Sequence, residues 1–168
     1  DTGELSQAQK DSEIALQLAR EHNIPYLEAL SLHNLAGIFY NQGEFQAAQV
    51  LYKEAILLAR QIQDRIVEAP IAHNLGSTYL VLGNYSQALH YFEEDLQTSR
   101  ELGWERLAAF ANMNIGYMLT ALGDFERAKF ASEDALASFR NLDCRPEQAN
   151  VLLTQAGLQR LQGDLTSA

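Results

Sequence analysis

Gly3, Gly43, Gly83, Gly123 and Gly163 recur every forty residues without a slip, and they are half of the ten glycines in this 168-residue chain. A fixed period of that size marks a repeat protein, in which each unit buries its apolar face only against its neighbours. The phrases that open on the lattice read GELSQAQKDSEIALQLAR from Gly3, GEFQAAQVLYKEAILLAR from Gly43, GNYSQALHYFEEDLQTSR from Gly83 and GDFERAKFASEDALASFR from Gly123; GDLTSA from Gly163 stops after six residues. Ala8, Ala48, Ala88, Ala128 and Ala168 share one column, and Arg20, Arg60, Arg100 and Arg140 share another. A second phrase precedes each inner glycine: HNLAGIFYNQ from His33, HNLGSTYLVL from His73, MNIGYMLTAL from Met113 and LTQAGLQRLQ from Leu153.

Both phrases have helical periodicity. From Phe45 the apolar positions Ala48, Leu51, Tyr52, Ala55, Ile56, Leu58 and Ala59 fall on one face at a 3.6-residue period. The glycines suit tight turns between antiparallel helices, where a positive φ is cheap for them. Asp124 and Asn84, each following a lattice glycine, are good N-caps, and Glu44 suits the dipole of a first turn. Pro25 and Pro146 fit first helical turns, whereas Pro70 falls nearer the middle of its helix and puts that boundary in question. The spacing predicts helices over 4–21, 25–41, 44–61, 66–81, 84–101, 105–121, 124–140 and 146–161, with no strand.

The pattern resembles the tetratricopeptide repeat. The first helix of that family carries a small residue followed three later by an aromatic, as at Ala36/Phe39 and Gly76/Tyr79; Gly116/Leu119 departs mildly and Ala156/Gln159 more. A small residue opens the second helix at Ala48, Ala88 and Ala128, with an aromatic four later at Tyr52 and Phe92, where Ser132 departs. A second small residue follows at Ala55 and Ala135, where Asp95 departs. Small side chains let two helix axes approach, and the aromatic fills the space beside them. The resemblance implies an all-α fold, a right-handed superhelix of antiparallel helix pairs. The common period is about 34 residues; the longer one here is similar to repeats of kinesin light chains and of bacterial multi-domain signalling regulators.

Length and composition narrow the function. The chain reads as one array over 1–168. Net charge is −10, from 22 acids and 12 bases, with no basic stripe of the kind a duplex requires. Direct nucleic-acid binding is therefore not expected. No apolar run approaches a membrane span. The single cysteine, Cys144, excludes an internal disulfide framework and suits a reducing compartment, and without a secretory leader the reading is cytoplasmic. No phosphate-binding loop, nucleophile elbow or metalloprotease motif is present, so no enzyme activity and no cofactor are expected. Glu93, Glu94 and Asp95 point in different directions on a helix and read as a solvated surface.

The resemblance implies that first helices line a concave surface. Projection from the small packing residues places His33, Asn34 and Tyr40 there in one repeat, His73 and Asn74 in the next, and Phe110, Met113, Asn114 and Tyr117 in the third. Asn34, Asn74 and Asn114 form a column at forty-residue spacing. A side-chain amide both donates and accepts, so successive amides can hold successive peptide units of an extended ligand; equally, each can bond a neighbouring helix. The groove positions include one base, Arg160, which rejects a clamp for terminal carboxylates. His33 and His73 lack the further ligands a zinc site needs, so no metal is expected. The arginine column reads as structural, with Glu28 and Glu68 in phase as partners.

Three functions follow from this pattern. The first is a non-catalytic interaction module that binds a peptide or partner segment in the groove, within a larger signalling protein. The second is a small-ligand sensor arm of a bacterial regulator. The third is an architectural array that self-associates or packs on an effector domain of its parent. Because the ends split helix pairs, leaving Leu5, Ile14, Leu16 and Leu18 at one end and Leu152, Leu158 and Leu161 at the other short of a partner helix, the sequence predicts a fragment of a longer array; open ends also offer a route to homo-oligomers.

Overall fold

The computed structural model describes residues 2–166, with side chains described over 6–163. It is all-α: α1 Thr2–Glu21, α2 Pro25–Asn41, α3 Phe45–Gln61, α4 Arg65–Val81, α5 Tyr85–Glu101, α6 Glu105–Leu122, α7 Phe125–Asn141 and α8 Arg145–Thr166. No strand occurs among the described residues. The sequence boundaries hold to within two residues, except at the end of α8.

The turns explain this regularity. Positive φ occurs at Asn23, Gly43, Gln63, Gly83, Gly103, Gly123 and Asp143, a twenty-residue lattice that interleaves the glycine series with a second, mostly non-glycine one. Each turn closes in the same way. The left-handed residue donates its N–H to the carbonyl three back, and the next residue donates to the carbonyl five back, as in Gly43 to Tyr40 (3.0 Å) and Glu44 to Phe39 (2.9 Å). This closure satisfies last-turn carbonyls that would otherwise be left unpaired. Asp64 adds a side-chain cap, accepting from the N–H groups of Ile66 and Val67, and Asp124 accepts from Arg127. Glu44 makes no such bond. Pro70 lies inside α4, which runs through it; the missing N–H removes one ladder bond near the start of a helix already held by the Asp64 cap.

Gly3 and Gly163 were expected in turns, but they lie within α1 and α8. Ala48, Ala88 and Ala128 are fully buried as their column requires, Ala8 is exposed, and Ala168 lies outside the described residues. Leu16 and Leu158 are buried, whereas Ile14, Leu18, Leu152 and Leu161 are exposed; the side chain of Leu5 lies outside the described set.

The chain divides into two compact units, Asp1–Asn84 and Tyr85–Ala168. In the first, α2 packs between α1 and α3, and α4 packs on α3 and beside α2. The second repeats the plan, with α6 between α5 and α7, and α8 on α7 and beside α6. Each unit thus has two helix layers. Tyr52, Leu32, Ile56, Ile71 and Leu75 fill the core of the first unit. In the second, Phe139 and Val151 pack with Ala109, Ala135 and Leu136, and Phe110 and Met113 lie against them.

One surface reading needs correction. Asp95 is fully buried and accepts a hydrogen bond from Ser99 Oγ (2.8 Å), because it occupies the small-residue column of α5 that faces inward. Glu93, beside it, pairs with Arg127 at 2.8 Å. The arginine column does find its carboxylates: Arg20 Nε donates to Glu28 (2.7 Å) and Arg60 Nε to Glu68 (2.9 Å).

Candidate functional site

In the first unit the groove positions converge. The α2 side chains His33, Asn34, Gly37 and Asn41 meet Asn74 of α4 and Tyr52 of α3 around a groove of ≈ 430 Å³, closed on one side by Ala8 and Ser12 of α1. A smaller pocket of ≈ 120 Å³ continues past Tyr40, Tyr52, Asn74 and Ser77. Helical spacing explains the convergence, since residues three and four apart share a face.

The polar groups have definite states. Asn74 Nδ2 lies 2.8 Å from His33 Nε2. With the amide nitrogen as donor, Nε2 must accept, so the imidazole is neutral and carries its proton on Nδ1. Burial agrees with this, lowering the His33 pKa below its ordinary value. The His33 ring also tilts against Tyr52, with centroids 5.7 Å apart. Tyr52 is buried, which pushes its phenol up to about 12, helped by the nearby Tyr40. Asn34 is exposed and Asn74 half-buried, so the first amide is open to solvent while the second is already bonded. His73 is half-buried on α4. Tyr40 packs edge-on against Phe45 at 5.2 Å.

The remaining groove positions lie on α6 in the second unit. Phe110 is half-buried and packs edge-on against Phe139 at 5.1 Å, with the Arg106 guanidinium 5.7 Å from its ring centroid. Met113 is partly buried against the same cluster, Asn114 is half-buried, and Tyr117 is half-exposed. Tyr52 was treated only as a packing aromatic, although its ring and hydroxyl form part of the groove wall. Its position one turn past Ala48, facing Gly37, was the available signal: a Cβ at Gly37 would stand 3.5 Å from the Tyr52 hydroxyl.

The geometry can hold a polar backbone against an aromatic floor. Among the described residues no group of three or more His, Cys, Asp or Glu could hold a metal ion, and no helix is long and apolar enough to cross a membrane. Tetratricopeptide-repeat profiles match residues 27–101 and 111–141, which together cover most of the chain. The chain belongs to the tetratricopeptide-repeat family. Such repeats are protein-interaction scaffolds and are generally non-catalytic.

No curated protein matches this tetratricopeptide chain by sequence. Its fold is shared with solved structures of low identity. BtubC (BKLC) from P. vanneervenii is 24% identical with a TM-score of 0.74, over 96% of this chain and 68% of that one. The apo form of RapI is 20% identical with a TM-score of 0.82, over 97% of this chain and 45% of that one. A Rap protein complexed with Competence and Sporulation Factor is 17% identical with a TM-score of 0.77, over 88% of this chain and 41% of that one. The chain thus spans less than half of either Rap protein.

Proposed function

We propose that this chain is a protein-interaction module that holds a peptide or partner segment along the α2/α4 face of its first unit, and that it works within a larger signalling or regulatory protein. One observation carries the reading: His33, Asn34, Tyr52 and Asn74 surround an open groove, with Asn34 exposed and the Asn74 side-chain nitrogen 2.8 Å from His33 Nε2. An incoming peptide unit pairs with the Asn34 amide and exchanges with His33 for the Asn74 amide, so the backbone is held without its sequence being read. The fold shared with a Rap protein complexed with Competence and Sporulation Factor supports a binding role for such an array. Asn114 occupies the same sequence column in the second unit.

The test is selection of binding peptides from a random display library on the 168-residue chain, followed by affinity measurements on variants. Asn34→Ala with Asn74→Ala is expected to weaken the selected peptides about tenfold or more, each lost amide bond being worth about 1 kcal/mol. Unchanged affinity in a variant that keeps its helical circular dichroism would overturn the reading.

A further inference from the structure

The arginine column loses its glutamate in the second unit, where Ala108 and Gln148 stand eight residues after Arg100 and Arg140. Arg20 and Arg60 each donate Nε to the glutamate eight residues on, Glu28 and Glu68. At Arg100 that position is Ala108. Arg100 keeps the column's other bond, from Nη2 to Asp134 at 2.7 Å, as Arg20 keeps its bond to Glu54. Ala108 leaves open, beside Arg100, the space a glutamate fills elsewhere. That space is a cavity of ≈ 390 Å³ in the second unit, lined by Arg100, Ala108, Asn112, Asp134 and Ser138, with Glu105 at its exposed rim.

The lining departs from the first unit's matching residues at several further positions, Asn112 and Ala131 among them. Asn112 stands where the first unit has Leu32; it is buried and donates to Asp134 Oδ2, the oxygen that also accepts from Arg100. Asp134 Oδ1 and the Asn112 carbonyl remain as acceptors. Ala131 stands where the first unit has Leu51, and it lines an adjoining, mostly apolar chamber of ≈ 480 Å³ with Leu96, Ile115, Leu119 and Phe130, which the paired Glu93 and Arg127 and Glu126 also border. Arg100 and Asn112 line both chambers. One guanidinium, with Asp134 and Glu105 nearby, makes a site of mixed sign that suits neither a simple anion nor a simple cation.

We propose that the second unit binds a zwitterionic α-amino acid with a bulky apolar side chain. Its carboxylate takes the place of the missing glutamate against Arg100 Nε, a charge-assisted bond. Its ammonium lies on the Asp134 and Glu105 side, and its side chain enters the apolar chamber, where burial supplies affinity. The site lies on the α5–α7 side of the unit and is independent of the groove proposed above.

The experiment is thermal unfolding of the 168-residue chain with 10 mM L-leucine or L-phenylalanine, with N-acetyl-L-leucine and L-leucinamide as arms that each remove one charge. At least one amino acid is expected to raise the midpoint by about 3 °C, as a ligand near millimolar affinity would. Both blocked forms should give less than half that rise. Ala108→Glu, which restores the column's glutamate, should abolish it; Ala131→Leu, which refills the chamber with the first unit's residue, should do so too and serves if Ala108→Glu fails to fold. Asn34→Ala with Asn74→Ala should leave the rise intact, which separates this site from the groove. No rise with either amino acid, an equal rise with a blocked form, or a rise that persists in a folded Ala108→Glu or Ala131→Leu variant would overturn the proposal.

Discussion

The two units share one backbone plan but handle the same three positions differently. At 33, 52 and 74 the first unit carries His, Tyr and Asn; eighty residues on, at 113, 132 and 154, the second carries Met, Ser and Thr. In the first unit a buried aromatic fills the gap between α2 and α3 and leaves polar tips around a groove. In the second the gap closes by approach: a Cβ at Gly116 would stand 2.5 Å from Ser132 Oγ and 3.4 Å from the Ala128 carbonyl. The two cavities beside Arg100 lie instead between α5, α6 and α7, where Asn112, Ala108 and Ala131 replace the first unit's Leu32, Glu28 and Leu51. A repeat lattice thus fixes where helices pack and leaves the choice of functional face to single columns.

That contrast can be broken at its strongest point first. Tyr52→Ala empties the centre of the first unit and is expected to cost about 3–5 kcal/mol, whereas Ser132→Ala at the matching position is expected to cost less than about 1 kcal/mol. Urea unfolding measures both, and equal losses would contradict the different packing of the two gaps.

The next effect sets two helical glycines against each other. Gly116→Ala forces Ser132 and its helix aside and is expected to cost about 1–3 kcal/mol. Gly37→Ala meets only the Tyr52 hydroxyl at ordinary contact distance and is expected to stabilise by up to about 1 kcal/mol through helix propensity. Thermal midpoints of the two variants should move in opposite directions.

A third, smaller effect is a pH window belonging to the first unit. His33 is held neutral by burial, with a folded pKa below its unfolded value, so its contribution is complete above about pH 6.5 and is lost as pH falls through the folded pKa. Tyr52 is raised to about 12, so its contribution is complete below about pH 10 and is lost as pH rises toward that value. Stability measured across pH should therefore fall on both sides, and His33→Gln should flatten only the acid side.

The smallest prediction concerns the turns. Gln63 and Gly103 occupy matching left-handed positions, with φ of 57° and 71°. Gln63→Gly is expected to stabilise by up to about 1 kcal/mol and Gly103→Ala to destabilise by a similar amount. Denaturation midpoints check both signs.

These columns also show what the sequence made legible. The helices, the turns at Gly43, Gly83 and Gly123, and the pairing of Arg20 and Arg60 with Glu28 and Glu68 follow from period and helix-end chemistry, which are local. The second turn series at Asn23, Gln63 and Asp143 was hidden because backbone closure there does not require glycine. Asp95 was misread because a charged residue in a run of acids gives no sign of facing inward; its membership of the small-residue column was the sign. For Phe110 and Met113 the lattice gave the helix face but not the depth, which depends on how Phe139 and Val151 pack across from them. The cavity beside Arg100 was legible in principle, since Ala108 in place of glutamate is visible once the columns are aligned.

In the proposed function, the α2/α4 face of the first unit holds a partner's backbone through its side-chain amides. Titration of the isotope-labelled chain with a selected peptide, followed by nuclear magnetic resonance, tests it most directly. The largest shifts are expected on the side-chain amides of Asn34 and Asn74, with the His33 and Tyr52 rings next. Shifts that instead concentrate on α5–α7 and leave both amides unmoved would contradict it.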